Sequence, residues 1–385
     1  MGERFVLWGV VVVATVLVAS GSVYGYLWFR LGQINSEKCS ACAAEQAGAP
    51  YNVLIVGSDS RAGDTGGAAR SFGSASQVGG QRSDTIKILH VDPSNNSARL
   101  LSIPRDTYVA LSGLSPGTGL ATDNKINTAF NSGPQALIET IENTFGIPIH
   151  HFVIINFDGV INLVQSVGGI KLDFPYPVRD NDQGNNNSGL RITHAGCQTL
   201  NGNMALALAR SRYYEYEVRR GEWEYDGSGD LGRIQRQNTV IEAIIDKAKS
   251  DYNPLAINSF LESVVHDITK DDALSSGAMI SLAQRYHAFS GSALKTYTLP
   301  TTGAMSDVAG SVQVVQEPLA DQMLTEFLGA APDDVVTPPL DAGGSPVTTP
   351  PSTTTEPHRT NTGTTGSGVT TTTQPGTGPF NPTVC

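Results

Sequence analysis

The chain has 385 residues, a formal net charge of −11 and a charged fraction of 16%. This length supplies a core for one large domain or two ordinary ones. The acidic balance disfavours nucleic acid as a partner, so arginines that cluster in such a chain indicate a local site for an anion.

The N-terminal segment predicts a membrane anchor. Between Phe5 and Phe29 no residue is charged, and Val10–Val18 is strongly apolar. About 20 such residues span a bilayer, and aromatic residues at both ends of the run are typical of the membrane interface. We therefore expect residues 1–30 to form a cytoplasmic stub and a single transmembrane signal-anchor in the cell membrane, followed by an extracytoplasmic domain. The alternative is a signal peptide cleaved near Val18-Ala19-Ser20.

A linker is predicted over residues 31–50, and it contains two of the chain's 4 cysteines, Cys39 and Cys42. Cys197 lies mid-chain, and Cys385 is the last residue. No histidine has a zinc-type spacing to these cysteines, which disfavours a metal knuckle. An exported protein meets an oxidising environment, and a disulfide from one linker cysteine to Cys197 is the simplest expectation. The sequence itself does not choose among the possible pairings.

Apolar strands and amphipathic helices alternate from Tyr51 onward. Two alternating runs around an Asn/Pro-rich turn predict a hairpin of Thr85–Val91 with Ala98–Ile103. Further predicted strands are Tyr51–Val56, Phe152–Phe157, Ile170–Phe174 and Lys295–Leu299, and predicted helices are Pro134–Phe145, Gly159–Val167, residues 201–209 and Leu231–Lys249. Residues 62–81, 179–191 and 213–229 are expected to form loops.

This order of elements predicts an α/β three-layer sandwich with a central mixed, largely antiparallel sheet flanked by helices. The folded extracytoplasmic domain is expected over residues 51–331. Residues 332–385 are rich in Thr, Pro and Gly with almost no large apolar residues, and we expect them to form a disordered tail.

Arginine and aspartate recur close together at predicted strand ends, and a further arginine pair follows a helix. The sets are Asp59 with Arg61, Arg82 with Asp84, Arg105 with Asp106, and Arg210 with Arg212. In extended backbone, residues two apart point to the same face. Carboxylates bind hard divalent cations and guanidinium groups bind phosphate oxygens, so the set predicts a metal–phosphate site. Each pair taken alone is also compatible with a surface ion pair.

The long predicted helix has polar residues on its core-facing side. Arg233, Arg236 and Gln237 lie, at helical spacing, on the side that carries Val240, Ile241, Ile244 and Ile245. Buried polar groups need partners, so these residues should face a polar ligand or an enclosed carboxylate. The alternative is a buried salt bridge from Arg233 to Asp230. No Walker A loop and no Gly-x-Ser-x-Gly elbow occurs in the sequence, which disfavours nucleotide phosphates and a Ser-His hydrolase.

These motifs, in this order, resemble the LytR–CpsA–Psr family of membrane-anchored cell-wall glycopolymer phosphotransferases. The resemblance covers about residues 51–250 through Val53–Arg61, Arg82–Ile86, Ser102–Thr107, Lys125–Phe130, Val167–Ile170, Leu200–Arg212 and Asp230–Gln237. It implies transfer of a glycopolymer phosphate from a polyprenyl-pyrophosphate carrier to peptidoglycan, with release of polyprenyl phosphate. The alternatives are a pyrophosphatase acting on the lipid-linked pyrophosphate, and a non-catalytic binder or regulator of lipid-linked wall polymer.

The resemblance also implies roles for the motif residues and names the partners as lipid-linked glycan, peptidoglycan and the lipid bilayer. Asp59 and Asp84 would hold Mg²⁺ (or Mn²⁺), Asp106 would support Arg105, and Asp230 would help to deprotonate the acceptor hydroxyl. The implied catalytic set is Asp59, Arg82, Asp84, Arg105, Asp106 and Asp230. The implied pyrophosphate-binding set is Arg61, Arg82, Arg105, Arg210, Arg212, Arg233 and Gln237.

A lipid carrier would need an apolar tunnel between sheet and helices. The candidate lining residues are Ile138, Ile141, Phe145, Val160, Ile161, Leu163 and Val164. Ordinary core packing is the alternative for this stripe, since periodic apolar helix faces usually pack into a core.

Overall fold

The computed structural model describes residues 24–58, 83–115, 122–181, 188–250, 261–262, 265–286, 290–329 and 380–385. Asp59, Arg61 and Arg82 lie outside these ranges, as does most of the predicted membrane anchor. Residues 24–31 are helical. Among the helices of the described ranges, none combines the length and the apolarity needed to cross a bilayer.

The elements are numbered here in chain order. The strands are β1 (Asn35–Glu37), β2 (Tyr51–Ser58), β3 (Ser83–Asp92), β4 (Ser97–Ile103), β5 (Tyr108–Ala110), β6 (Asp123–Lys125), β7 (His151–Ile155), β8 (Ile170–Phe174), β9 (Val178–Asp180), β10 (Arg191–Ile192), β11 (Gly196–Leu200), β12 (Tyr214–Arg219), β13 (Glu222–Tyr225), β14 (Ile268–Asp271), β15 (Lys295–Thr298), β16 (Thr301–Ser306), β17 (Gly310–Val315) and β18 (Thr383–Val384). The longer α-helices are α1 (Pro134–Phe145), α2 (Phe157–Ser166), α3 (Gly202–Arg210), α4 (Gly229–Ser250), α5 (Ser276–Tyr286) and α6 (Leu319–Leu328), and Ile126–Ser132 forms a 3₁₀ helix.

A 7-stranded sheet with the order β1-β14-β7-β2-β3-β4-β15 forms the centre of the described domain. The pairs β14–β7, β2–β3 and β3–β4 are antiparallel. The pairs β1–β14, β2–β7 and β4–β15 are parallel. The predicted mixed sheet is confirmed, with parallel and antiparallel pairs equally frequent.

The two faces of this sheet are covered by different helices. On one face, Leu54, Ile88 and Leu101 belong to a core cluster that includes residues of α1 and α6. On the other face, Leu100 packs in a cluster with Ile241 of α4. Side chains that alternate along a strand point to opposite faces, so the sequence supplies both cores from the same strands. The predicted three-layer α/β architecture is therefore confirmed.

Two smaller sheets, β10-β9-β12-β13 and β11-β8-β18, pack beside the central one. Their shared core includes Phe174 and Tyr214 together with Val240 of α4. Helix α4 thus contributes Val240 to this core and its neighbour Ile241 to the face of the central sheet. This position makes α4 the connection between the two parts of the domain.

The main predicted elements agree with the observed ones in the hairpin and in the starts of α1 and α3. In the hairpin, Ile88 pairs with Leu101 across β3 and β4. Helix α1 begins at Pro134, as predicted. The helix predicted over residues 201–209 is observed as α3, where the side chain of Asn201 accepts the N–H of Met204 over 2.9 Å. Helix α2 begins at Phe157, two residues before the predicted Gly159, and its cap is Asn156.

One segment predicted as a loop, residues 213–229, contains the hairpin β12–β13 instead. Its inward positions Tyr214 and Tyr216 are buried, but the residue between them, Glu215, is buried as well. The Glu215 carboxylate forms an ion pair with Arg179 over 2.7 Å. Because this charge pairing lies in the strand itself, the apolar alternation that marks a half-buried strand is absent.

The cysteines pair differently from the expectation. Cys39 bonds to Cys42 within the linker, and Cys197 bonds to Cys385 across a separation of 188 residues. The expected bond from the linker to Cys197 is therefore wrong. Residues 332–379 of the predicted tail lie outside the described ranges. The end of the tail, Phe380–Cys385, is ordered, since β18 pairs with β8, and the disorder predicted there is wrong.

Candidate active site

Three chain segments meet at one edge of the central sheet. Because β3 is antiparallel to both of its neighbours, its first residues lie beside the last residues of β2 and β4. Asp84 is at the start of β3, Arg105 and Asp106 follow β4, and Arg233 lies near the start of α4. These residues, distant in the sequence, are brought together by the antiparallel order of the strands and by the helix that covers them.

The charged side chains at this edge form a connected network. Arg105 Nη1 donates to Asp84 Oδ1, and Arg105 Nε lies 3.8 Å from Asp106 Oδ2. Arg233 Nη2 lies 2.5 Å from Asp230 Oδ1 and 3.4 Å from the backbone carbonyl oxygen of Asp84. The alternative pairing of Arg233 with Asp230 is thus present. Asp106 lies beside Arg105 but beyond hydrogen-bond distance of its Nε, and its supporting role stays a prediction.

Several polar atoms of this network have no hydrogen-bond partner within the described ranges. They are Arg105 Nε, Arg233 Nε and Asp230 Oδ2. Arg233 is only 4% exposed, and a buried donor without an acceptor costs roughly 1–3 kcal/mol. Unused guanidinium donors in an enclosed site are matched to the oxygens of an anionic ligand.

Burial shifts the pKa values of two residues of this charged network, Asp230 and Arg233. Burial raises the pKa of Asp230, and the charges of Arg233 and Arg105 act in the opposite direction. Burial also lowers the pKa of Arg233, which the neighbouring Asp230 carboxylate opposes. A carboxylate with a raised pKa is a better proton acceptor than an exposed one.

The C-terminal end of α3 supplies two further arginines. Arg210 is the last residue of α3, Ser211 has extended backbone, and Arg212 follows it. The Arg210 guanidinium lies over the ring of Phe157, 4.5 Å from its centroid. Gln237 Nε2 donates to the carbonyl oxygen of Ala209 over 3.1 Å, which fixes the end of α3 against α4.

One polar residue of the predicted helix face lies elsewhere. Arg236 is fully buried and donates to Asp226 Oδ2 over 2.9 Å and to the carbonyl oxygen of Ser211 over 2.9 Å. Its guanidinium also stacks over Tyr214 at 4.4 Å. Arg236 therefore has an enclosed carboxylate as its partner, which is one of the two outcomes that the sequence pattern allowed.

A cavity of about 1320 Å³ opens from the charged edge along one face of the central sheet. Its charged and polar end is lined by Asp84, Arg105, Arg210, Arg212, Arg233 and Gln237. The rest of its wall is mostly apolar and includes Leu89, Val91 and Leu100 of the sheet and Ile241, Ile244 and Ile245 of α4. The cavity therefore fits an amphiphile with an anionic group at one end.

The predicted tunnel lining is correct for α2 only in part. Val160 and Leu163 line the cavity, whereas Ile161 and Val164 are buried in separate core clusters. The α1 residues Ile138, Ile141 and Phe145 are fully buried in the core on the opposite face of the sheet. The core alternative was therefore right for α1, and the stripe of α4 that was expected to be buried core forms the cavity wall.

The LytR_cpsA_psr family model matches residues 31–328 of the chain. The chain belongs to the LytR–CpsA–Psr family. It is 30% identical over 256 residues to the polyisoprenyl-teichoic acid–peptidoglycan teichoic acid transferase TagV of Bacillus subtilis, covering 66% of this chain and 57% of that protein. It is 33% identical over 285 residues to the transferase TagU of Enterococcus faecalis, covering 72% of this chain and 81% of that protein. The chain spans only 57–61% of the length of the first three curated relatives.

Solved structures of the LytR–CpsA–Psr family share this fold. The LytR-Csp2A-Psr enzyme from Actinomyces oris superposes with a TM-score of 0.58 at 23% identity, over 82% of this chain and 99% of that structure. The crystal structure of Bacillus subtilis TagV gives a TM-score of 0.55 at 26% identity, over 74% of this chain and 100% of that structure.

Two lysines of this LytR–CpsA–Psr domain were not among the predicted site residues. Lys125 Nζ lies 3.3 Å from Asp106 Oδ1, so it belongs to the charged network. Its signal was available, because Lys125 begins one of the family motifs. Lys87 lines the cavity from the middle of β3. The signal for this residue is a lysine between two isoleucines, Ile86 and Ile88, within a strand.

Proposed function

We propose that this chain transfers a glycopolymer phosphate from a polyprenyl-pyrophosphate carrier to peptidoglycan and releases polyprenyl phosphate. The observation that supports it most is the division of one cavity into a charged end and a long apolar remainder. A lipid-linked pyrophosphate has the same division. The relatives TagV and TagU are named as transferases that join polyisoprenyl-linked teichoic acid to peptidoglycan.

In this proposal the arginines position the pyrophosphate and neutralise its charge. Arg105 and Arg233 contribute donors that have no acceptor within the described part of the chain, and Arg210 and Arg212 line the same end of the cavity. Guanidinium groups match phosphate oxygens in a bidentate geometry. Phosphoryl transfer depends mainly on positioning and on electrostatic stabilisation, which such a cluster supplies.

Asp230 acts as the general base. The acceptor hydroxyl oxygen attacks the glycan-side phosphorus, its proton passes to Asp230, and the bridging P–O bond breaks with its electron pair left on polyprenyl phosphate. The raised pKa of Asp230 supports this role, as does its Oδ2 atom, which has no hydrogen-bond partner among the described residues. A general base contributes about 10²–10⁴-fold to a rate.

A divalent cation, Mg²⁺ or Mn²⁺, would be held by Asp84 together with Asp59, which lies outside the described ranges. Asp84 fits this role, because carboxylate oxygen is the ligand that Mg²⁺ prefers and because Asp84 lines the charged end of the cavity. Within the described ranges, no group of three or more Asp, Glu, His or Cys side chains has an arrangement that could hold a metal ion. The donor set therefore suits an ion that is held partly by substrate phosphates. When bound, the ion would neutralise charge on the pyrophosphate.

The carrier lipid reaches the cavity from the cell membrane, in which the chain is anchored once by its N-terminal segment. The helical residues 24–31 support this arrangement, because Leu27 and Leu31 line the apolar part of the cavity. The outer side of the same helix exposes Trp28 and Phe29, which are 55% and 59% accessible. Exposed aromatic residues next to an uncharged apolar run are typical of a membrane interface.

The test uses the purified full-length protein in detergent with a polyprenyl-pyrophosphate glycan, Mg²⁺ and peptidoglycan oligomers. The expected products are the glycan–peptidoglycan phosphodiester and polyprenyl phosphate, and Arg105→Ala should lower the formation of both by about 10²–10³-fold. Arg219→Ala is the matched control, since Arg219 is an exposed arginine whose side chain is 82% accessible. Release of polyprenyl phosphate without conjugate would show that the protein is a pyrophosphatase and not a transferase. Binding of the lipid-linked glycan without formation of either product would show that the protein is a non-catalytic binder of lipid-linked polymer.

A further inference from the structure

Lys87 is a buried cation in the floor of the cavity. Its side chain is 1% exposed, and its Nζ donates to Ser102 Oγ over 2.7 Å and to Asn238 Oδ1 over 2.6 Å. Both partners are neutral, and none of the ion pairs within the described ranges includes Lys87. An ammonium group has three donors, so two are used and the positive charge has no carboxylate beside it among the described residues.

The position of Lys87 is the border between the two parts of the cavity. Along β3, the cavity-facing residues run from Thr85 through Lys87 to Leu89 and Val91. The cross-strand partner of Lys87 on β4 is Ser102. The next residue of β4 on this face is the apolar Leu100. On both β3 and β4, the residues on this face therefore change from polar to apolar at the level of Lys87.

Helix α4 shows the same change on the opposite wall. Arg233 and Gln237 line the charged end of the cavity, and Ile241 and Ile244 line the apolar part. Asn238, which holds the Lys87 ammonium, lies between these two groups in α4. The border between charged and apolar lining is therefore at the same height on the sheet and on the helix.

An amphiphile in this cavity places its last charged group at that border. In a polyprenyl pyrophosphate, this group is the phosphate attached to the lipid, because the hydrocarbon begins directly after it. Burial of an unpaired cation is costly, and an anion beside it removes much of that cost. Burial and the nearby Arg233 charge lower the pKa of Lys87 to about 7, which agrees with a cation that lacks its counter-charge.

We propose that Lys87 binds the lipid-side phosphate from the floor of the cavity and stabilises the charge that this phosphate gains as it departs. This proposal rests on the proposed transferase function. When the acceptor oxygen forms its bond to the glycan-side phosphorus, the bridging P–O bond breaks. Its electron pair stays on the lipid-side phosphate, next to the Lys87 ammonium. Lys87 thus acts on the leaving group, whereas Asp230 acts on the acceptor.

The first experiment measures binding of the reaction product rather than turnover. Wild-type protein and Lys87→Met are titrated with a polyprenyl monophosphate and, separately, with the uncharged polyprenol of the same length. Methionine has a similar length without the charge. We expect Lys87→Met to weaken monophosphate binding at least about tenfold, the effect of about 1.4 kcal/mol, and to leave polyprenol binding unchanged. Equal monophosphate affinity of the two proteins would overturn the proposal.

Turnover separates this proposal from the proposed function. Conjugate formation by wild-type protein, with kcat lowered in Lys87→Met and partly restored in Lys87→Arg, supports a role at the leaving phosphate. Conjugate formation with an unchanged kcat in Lys87→Met leaves the transferase intact and overturns the role of Lys87. If wild-type protein forms no conjugate, the transferase proposal fails, and the proposed role at the leaving group fails with it. Thermal unfolding of each variant shows that it is folded.

Discussion

Arg105 forms an ion pair with Asp84 between the segment after β4 and the start of β3. The pair joins two of the family motifs that are separated along the chain but adjacent in the sheet. Asp84 thereby orients the guanidinium, and Arg105 keeps its Nε without an acceptor in the described part of the chain. The two residues form a unit in which one charge places the other for an anionic ligand.

Arg105 should be far more sensitive to substitution than an exposed arginine. Arg105→Ala removes a donor at the position where charge develops, so we expect a loss of about 10²–10³ in kcat. Arg105→Lys keeps the charge but not the bidentate fork, and should recover only part of this loss. Transfer assays with Arg219→Ala as control provide the measurement. Equal activity of Arg105→Ala and Arg219→Ala would remove Arg105 from the site.

The apolar wall of α4 should control which lipid length is accepted. Ile244 lines the cavity, so Ile244→Trp should block part of the apolar space. We expect kcat/KM to fall by roughly tenfold for a long polyprenyl carrier, the loss that follows from about 1.4 kcal/mol of missing contact. A carrier shortened to a few isoprene units should be affected much less.

The control for Ile244 is Val308→Trp, because Val308 is 58% exposed and is not among the residues that line the cavity. The kcat/KM values of this variant for long and short carriers should equal those of the wild type. Kinetics with a series of chain lengths provide the measurement. An equal loss for all lengths in Ile244→Trp would mean that the helix is merely distorted and that the cavity does not hold the lipid.

The sequence predicted the charged part of the site better than the apolar part. The arginines follow breaks in regular patterns, at strand ends and on a helix face, and such breaks are visible without a structure. The apolar lining of the cavity shows no such break in its sequence pattern. Ile244 in the cavity and Ile141 in the core occupy equivalent periodic positions on amphipathic helices. Which of the two faces packs and which lines a cavity depends on the opposite layer.

Other parts depended on partners that are remote in the sequence. Glu215 reads as a loop residue until its pairing with Arg179 on the adjacent strand is known. The tail composition correctly suggests that little apolar surface is available, but composition says nothing about a single bond such as Cys197–Cys385. Lys87 resembles an edge or surface residue until the strand that carries it is found at the centre of the sheet.

Lys87 should make the stability of the domain depend on pH. Its pKa is lowered from 10.5 to about 7, so between these values the unfolded chain binds more protons than the native one. Stability should therefore rise with pH across this range. Lys87→Met removes the buried charge, and we expect it to stabilise the protein by on the order of 1–4 kcal/mol at pH 6.

The difference between the two proteins should shrink as pH rises from about 7 toward 10, because the wild-type lysine becomes neutral in the folded state. Urea unfolding at several pH values, without lipid, measures it. Lys295→Met serves as the control, since Lys295 is exposed. A pH-independent gain in Lys87→Met would show that added apolar packing, rather than relief of a buried charge, causes the effect.

The C-terminal segment Phe380–Cys385 should stabilise α4 next to the site. Asn381 Oδ1 accepts from Arg236 Nη1 over 3.0 Å, and Asn381 Nδ2 donates to Gln235 Oε1 over 2.8 Å. The Phe380 ring stacks on Tyr216 with centroids 3.8 Å apart. We expect Asn381→Ala to lower the free energy of unfolding by about 1–3 kcal/mol, since it leaves a buried guanidinium short of one acceptor.

Val384→Ala is the matched control, because Val384 lies in the same segment and is 36% exposed. Its effect should stay within about 0.5 kcal/mol. The double substitution of Cys197 and Cys385 by serine should cost about 2–4 kcal/mol, and Asn381→Ala should then add less, because the freed segment leaves Arg236 more often. Additive losses would mean that the bond and the hydrogen bonds act independently. In that case the disulfide does not hold Asn381 against α4, and the segment stabilises only the β8 edge.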